Sequence, residues 1–188
     1  MRVLTKTELQ LHLTEIVEQI RNGAVFIYPT DTIYGIGCNA LDKIAVAKIR
    51  ALKERTTNPF SIIVPSKEWV MKNCIITTKA KEWLSKLPGP YTLILKLRNK
   101  NAIVKSVNQG TENIGVRIPD HWISGFVRKL GFPIVTTSAN LAGKPFMTSL
   151  EDLDESIKEG VDFVIYEGEK KGRPSKIVNL VEGIIKER

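Results

Sequence analysis

Histidine and cysteine are scarce in this chain of 188 residues, which holds two of each: His12, His121, Cys38 and Cys74. Their positions give no metal-ligand spacing such as C-x-x-C, so a zinc site and a histidine-based triad are both poor fits. Two isolated cysteines suit a reducing compartment. No run of about 20 apolar residues occurs, so no segment reads as a membrane span. The opening "MRVLTKTELQ" lacks the apolar core of a signal peptide. A cytoplasmic location is expected. Acidic residues are also short, 20 against 28 Lys and Arg, for a formal charge of +8. That excess favours anionic partners such as nucleotides, phosphates or RNA, although it serves plain solubility equally well. The chemistry open to the chain therefore uses Lys, Arg, Ser, Thr, Asn, Asp, backbone amides, or a metal carried in by a substrate.

What the chain does have is an ordinary core composition, 43% hydrophobic, and a length that fits one domain over residues 1–188. No repeat, low-complexity stretch or linker divides it. Thr5 and Glu8 form a capping-box pattern ahead of apolar residues at helical spacing, which predicts a helix over 5–22 stopped by Gly23. Further helices are expected after Asp42, after Ser66, from Thr78 to about 87, over 120–130 before Gly131, and over about 149–159. Strands are expected at 24–28, 60–64, 91–97, 113–119, 133–137, 161–166, 176–181 and 183–187. Helices and strands mix without a strict βαβ rhythm, which predicts one layered α/β domain around a mixed sheet. The polar, glycine-bearing segments 98–112 and 167–175 read as the mobile loops. Trp69, Trp83 and Trp122 fall in or at helices and read as packing residues, and His121 as a structural or surface residue.

Several strands run into small polar groups. "FIYPTDTIYGIGCNA" (26–40) passes from an apolar strand to Thr30, Asp31 and Thr32 and then to Gly35 and Gly37. "IVTTSAN" ends in Ser138 and Asn140, and "GVRIP" carries Arg117. Such groups suit a ligand crevice at strand ends, and they suit turns and helix caps too. Lys53 and Arg55 stand where a helix gives way to a loop. Both can reach phosphate, or can simply be a solvated basic helix end. "GIGCNA" fits a loose G-x-G-x-x-A pattern, but Pro29 to Tyr34 separate it from the strand, so a dinucleotide turn is a poor reading. "AGKPF" (142–146) lacks P-loop spacing.

Taken in order, "PTDTIYGIG", "KER" (53–55), "PGPYT" (88–92), "VRIP" (116–119) and "TTSANLAGKP" (136–145) resemble the motifs of the YrdC-like, TsaC-type family, over roughly residues 10–180. The resemblance implies a single α/β domain with a twisted mixed sheet, flanking helices and a concave basic cleft. It implies an L-threonylcarbamoyladenylate synthase, which joins L-threonine, bicarbonate and ATP into threonylcarbamoyl-AMP and pyrophosphate. A separate complex then transfers the threonylcarbamoyl group to tRNA. It implies Mg2+ carried by the nucleotide and no metal held by the protein.

Residue by residue, the resemblance assigns catalytic roles to Lys53 and Arg55. It assigns threonine contacts to Thr32, Arg117 and Thr136. It assigns ATP contacts to Arg55, Asn58, Ser138, Asn140, Arg173 and Ser175, the last two in "GRPSKIVNL" (172–180). The chain departs from the pattern in several places. Thr56 stands where proline is usual, Ile62 to Val64 where many relatives carry a histidine, Phe146 where a small residue is usual, and Lys176 and Asn179 where Thr and Asp are usual. The chain is expected to correspond to the core domain of longer relatives. The competing readings are a module that binds double-stranded RNA or tRNA through the basic cleft without chemistry, and a related carbamoyl-transfer domain.

Overall fold

The computed structural model describes residues 1–55 and 57–187, so the Thr56 departure lies outside the described residues. In chain order the elements are β1 (Arg2–Leu4), α1 (Lys6–Leu11), α2 (Leu13–Arg21), β2 (Phe26–Tyr28), β3 (Gly35–Gly37) and α3 (Lys43–Leu52). Then come β4 (Ser61–Ile63), α4 (Lys67–Asn73), α5 (Thr78–Ser85), β5 (Tyr91–Lys96), α6 (Lys105–Asn108) and β6 (Asn113–Arg117). The rest are α7 (Trp122–Leu130), β7 (Ile134–Ser138), α8 (Glu155–Gly160), β8 (Phe163–Ile165), β9 (Lys176–Asn179) and β10 (Ile184–Lys186). The strands form one sheet in the order β1-β8-β2-β3-β7-β4-β6-β5-β9-β10. Pairs β1/β8, β2/β8, β4/β6 and β5/β9 are parallel and the others antiparallel, so the sheet is mixed as expected.

The period of two along the central strands separates core from groove. One row across the sheet is Val135, Ile62, Val116, Leu93 and Val178, all at most 1% exposed. The next row is Thr136, Ser61, Gly115, Ile94 and Asn179, which faces the other way. Gly115 keeps that polar row low, because a Cβ there would stand 2.4 Å from Ser61 Oγ. Helices cover both faces. Leu9, Ile16 and Ile20 pack with Phe126, Val127 and Leu130 against Phe26 and Phe163 on one side. Val46, Ile49, Val70 and Leu84 pack against Ile36, Ile62 and Val164 on the other. Each such fully buried side chain contributes roughly 1.5–3 kcal/mol.

Several expectations need correction. The helix expected over 5–22 is interrupted at His12, where ψ reaches 24°. The His12 N–H still reaches Glu8 O and the Ile16 N–H still reaches His12 O, so the break is a one-residue offset. β1 is too short for any period to register. Only 155–160 of the helix expected at 149–159 forms. Asp152 instead accepts from Thr148 and Ser149 in a turn, and Asp154 takes the N-cap by accepting from Ser156 N at 3.0 Å. Segment 98–112 contains α6. Gly35 and Gly37, which follow the polar turn, are strand residues. They lie in β3, which forms a hairpin with β2. The ring of Tyr28 crosses them so that its hydroxyl donates to Val135 O at 3.0 Å. A Cβ on Gly37 would meet that carbonyl at 2.1 Å.

Candidate active site

The polar row floors a groove made of two neighbouring chambers with a common wall: Ser61, Thr92, Thr136, Thr137 and Ser138. The smaller adds Ile33, Tyr34, Gly35, Arg117, Pro174 and Ser175. The larger, of about 440 Å³, adds Arg55, Asn58, Phe60, Asn113, Ile177 and Asn179 among others. No carboxylate lines either chamber among the described residues, and each contains one arginine. A wall of hydroxyls with a guanidinium in each chamber is suited to polar anions, although Arg117 already pairs with Asp31 and Arg55 already donates to Thr137 and Pro59 O.

Arg117, at the end of β6, faces the small chamber and is 6% exposed. Its Nη2 donates to Asp31 Oδ1 at 2.9 Å and to Thr32 Oγ1 at 3.1 Å. The other Asp31 oxygen accepts from Asp120 N at 3.0 Å. The turn holding Asp31 is set by Thr30, whose hydroxyl accepts from Thr32 N at 3.1 Å and donates to Ile33 O at 2.7 Å. Thr32, expected to touch substrate, lies outside the lining of both chambers and buttresses Arg117.

Segment 166–175 crosses this turn and closes the small chamber. Lys170 Nζ donates to Thr30 O at 2.9 Å and pairs with Glu167. The Glu167 carboxylate accepts from Trp122 Nε1 at 2.7 Å and lies 2.8 Å from His121 Nε2. Burial pushes His121 below its ordinary pKa, and Glu167 pulls it part of the way back. Tyr34 OH donates to Gly168 O at 2.6 Å and accepts from Glu167 N at 3.1 Å. Gly172 passes so close that a Cβ would stand 2.1 Å from Thr32 O. Ser175 and Thr92 share a buried hydroxyl–hydroxyl bond of 2.7 Å. The segment read as a mobile loop is thus tied down along its length. Arg173 is exposed, lines neither chamber, and makes no hydrogen bond or ion pair among the described residues.

Lys53 and Arg55 part ways. Lys53 follows α3 and is 2% exposed. Its ammonium donates to Ser138 O and Asn140 O, each at 2.5 Å, and to Asn140 Oδ1 at 3.1 Å. Burial, with Arg55 nearby, pushes its pKa down to about 8. Asn140 Oδ1 also accepts from Ser138 Oγ at 2.5 Å, and Asn140 Nδ2 donates to Lys144 O at 2.6 Å. Lys53 and Asn140 therefore hold the turn after β7 from outside the two chambers, and Ser138 is the member that lines them. Arg55 Nη1 donates to Thr137 Oγ1 at 3.3 Å and Nη2 to Pro59 O at 2.9 Å, which leaves its side chain on the wall of the large chamber.

The structure thus brings Arg55, Asn58, Arg117, Thr136, Ser138 and Ser175 to the groove. It sets Thr32, Lys53 and Asn140 behind the wall and Arg173 outside it. Sequence reasoning missed Ser61, Thr92, Thr137 and Tyr34. For Ser61 and Thr92 the available signal was their place beside buried apolar neighbours in "FSII" and "YTL". Among the described residues no group of three or more His, Cys, Asp or Glu gathers that could hold a metal, and no helix is long and apolar enough to cross a membrane.

Fold and groove define a mixed-sheet α/β domain with a hydroxyl-lined groove, one arginine in each chamber, over the face of its sheet. The chain belongs to the Sua5/YciO/YrdC family, described as telomere recombination, which matches residues 18–187. It is 38% identical to the putative threonylcarbamoyl-AMP synthase of Methanocaldococcus jannaschii, covering 97% of this chain and 90% of that protein. It is 34% identical to the threonylcarbamoyl-AMP synthase of Pyrococcus abyssi, covering 87% of this chain and 49% of that protein. The crystal structure of P. abyssi Sua5 complexed with L-threonine superposes with a TM-score of 0.85 at 30% identity, covering 98% of this chain and 55% of that one. The chain thus spans about half the length of the P. abyssi relatives and nine-tenths of the M. jannaschii one.

Proposed function

We propose that this chain is an L-threonylcarbamoyladenylate synthase, a single-domain nucleotidyltransferase acting in the cytoplasm. The observation that carries the reading is a hydroxyl-lined groove of two adjoining chambers, with Arg117 in one and Arg55 in the other and no carboxylate in its lining among the described residues. L-threonine occupies the small chamber, its carboxylate on Arg117 and its polar groups among Thr92, Thr136 and Ser175. ATP occupies the large chamber, its phosphates toward Arg55 and Asn58 and its remaining polar groups toward Ser138. Lys53 and Asn140 position Ser138, and Thr32 positions Arg117.

The threonine amine attacks the carbon of bicarbonate, and water leaves to give the carbamate. A carbamate oxygen then attacks the α-phosphorus of ATP, and the bond to the β-phosphate oxygen breaks to release pyrophosphate. Neither step needs a protein nucleophile. Both need anions that repel one another to be held in line, which positive side chains and aligned hydroxyl donors provide. Mg2+ enters as part of the nucleotide and neutralises phosphate charge. The product feeds a tRNA threonylcarbamoyl-transfer complex, and the chain's excess positive charge serves the anionic substrates and a passing tRNA contact.

The test mixes the protein with ATP, magnesium, bicarbonate and a panel of amino acids and follows pyrophosphate. Release that depends on threonine, and is lost in Arg55→Ala, supports the proposal. No release with any amino acid, together with salt-sensitive binding of double-stranded RNA, replaces it with the RNA-binding module.

A further inference from the structure

Arg50 stands on α3 one turn before Lys53, and its hydrogen bonds go to backbone carbonyls. Nε donates to Ser106 O at 2.8 Å, and Nη2 to Ser106 O at 2.6 Å and Val107 O at 3.1 Å. Nη1 donates to Arg55 O and Asn58 O, each at 3.1 Å. Two of these carbonyls belong to α6 and two to the loop that carries Arg55 and Asn58 into the large chamber. The Arg50 guanidinium also lies 4.3 Å from the centre of the Phe60 ring, the same ring that Arg55 covers at 5.2 Å. Phe60 is 2% exposed, lines the large chamber, and donates its own N–H to Val107 O at 2.8 Å.

We infer that Arg50 is a positioning residue for the nucleotide, fixing Arg55 and Asn58 against α6 so that both meet the phosphates. Among the described residues no carboxylate lies within hydrogen-bond reach of it, and a partly desolvated cation facing neutral carbonyls regains less than one facing a carboxylate. What the arrangement does return is geometry. The planar five-donor fork of arginine reaches four carbonyls on two segments at once, which lysine, a compact ammonium with three donors, does not. The Phe60 face adds an electrostatic seat for both guanidinium groups and fixes their spacing.

The inference rests on the synthase reading for the identity of the nucleotide, and its test uses binding rather than turnover. Titration calorimetry with Mg-ATP and, separately, with L-threonine is run on the wild type, Arg50→Ala and Arg50→Lys. The expected result is an ATP Kd raised tenfold or more in Arg50→Ala and several-fold in Arg50→Lys, with the threonine Kd within twofold of wild type in both. An unchanged ATP Kd overturns the inference. So does an equal loss of both affinities in Arg50→Lys, which would make Arg50 a general stabiliser. If Arg50→Ala does not fold, the charge-preserving Arg50→Lys decides alone. A wild type that binds ATP but releases no pyrophosphate defeats the synthase reading while the ATP comparison still decides the role of Arg50. A wild type that binds no ATP overturns both.

Discussion

Asp31 accepts a hydrogen bond from Arg117 at 2.9 Å across 86 positions of sequence, and their side chains are only 9% and 7% exposed. The pair joins the turn after β2 to the end of β6 and aims a guanidinium into the small chamber. Removing one member of a nearly closed ion pair leaves the other desolvated charge under-compensated, which destabilises by about 3–5 kcal/mol. Asp31→Ala is therefore expected to lose about that much in urea unfolding. Asp31→Asn keeps an acceptor for Asp120 N and should lose less. In both, calorimetry should show the L-threonine Kd raised at least tenfold with the ATP Kd unchanged.

Gly37 tests the hairpin that ends at the site. A Cβ at this position meets a backbone carbonyl of β7, which cannot rotate away, as well as the Tyr28 ring. Gly37→Ala is expected to destabilise by about 1–3 kcal/mol, the range for an overpacked core. Gly125→Ala, where a Cβ meets nothing within 4 Å in a helix interior, should be neutral or stabilising in the same thermal melt.

These positions show how far the sequence carries. The capping box of Thr5 and Glu8, the helix between His121 and Gly131, and the apolar strands could all be read directly, because caps and periods are local. The motif residues Arg55, Arg117, Thr136 and Ser138 all line the groove. Ser61 and Thr92 could not be assigned, because their exposure to the groove depends on β4 and β5 lying beside β6, a pairing between distant segments. Lys53 announces a charge but not a direction. Only the turn after β7, folding back over α3, supplies the carbonyls that take its three donors. Arg50 carries no motif signal, since its partners are main-chain atoms of any sequence.

Glu54 follows α3 with φ at +50°, in the left-handed region, its N–H bonded to Ala51 O at 3.0 Å. A side chain there costs about 1–2 kcal/mol, and glycine gives back part of that in unfolded-state entropy. Glu54→Gly is expected to stabilise by about 0.5–1 kcal/mol, a rise in Tm of about 2 °C for a chain of this size. Differential scanning calorimetry reads the change directly.

The buried Lys53 makes stability depend on pH. Its pKa falls from 10.5 to about 8 on folding, with burial the larger cause and Arg55 the smaller. Between those values the unfolded chain holds a proton that the folded chain has released, so this lysine's contribution to stability rises with pH across the window and is flat below about 8. The difference in unfolding free energy between the wild type and Lys53→Met should therefore grow in favour of the wild type from pH 8 to 10. A difference independent of pH would show that the ammonium keeps its ordinary affinity for its proton.

The most direct test of the central claim follows the carbon of bicarbonate. The protein is incubated with Mg-ATP, L-threonine and 13C-bicarbonate, and the nucleotide products are separated and weighed by mass spectrometry. The predicted result is an adenylate that contains threonine, carries one 13C, and forms in step with pyrophosphate. Pyrophosphate without a labelled adenylate, or a carbamoyl adenylate formed only when carbamoyl phosphate replaces bicarbonate, would contradict the account.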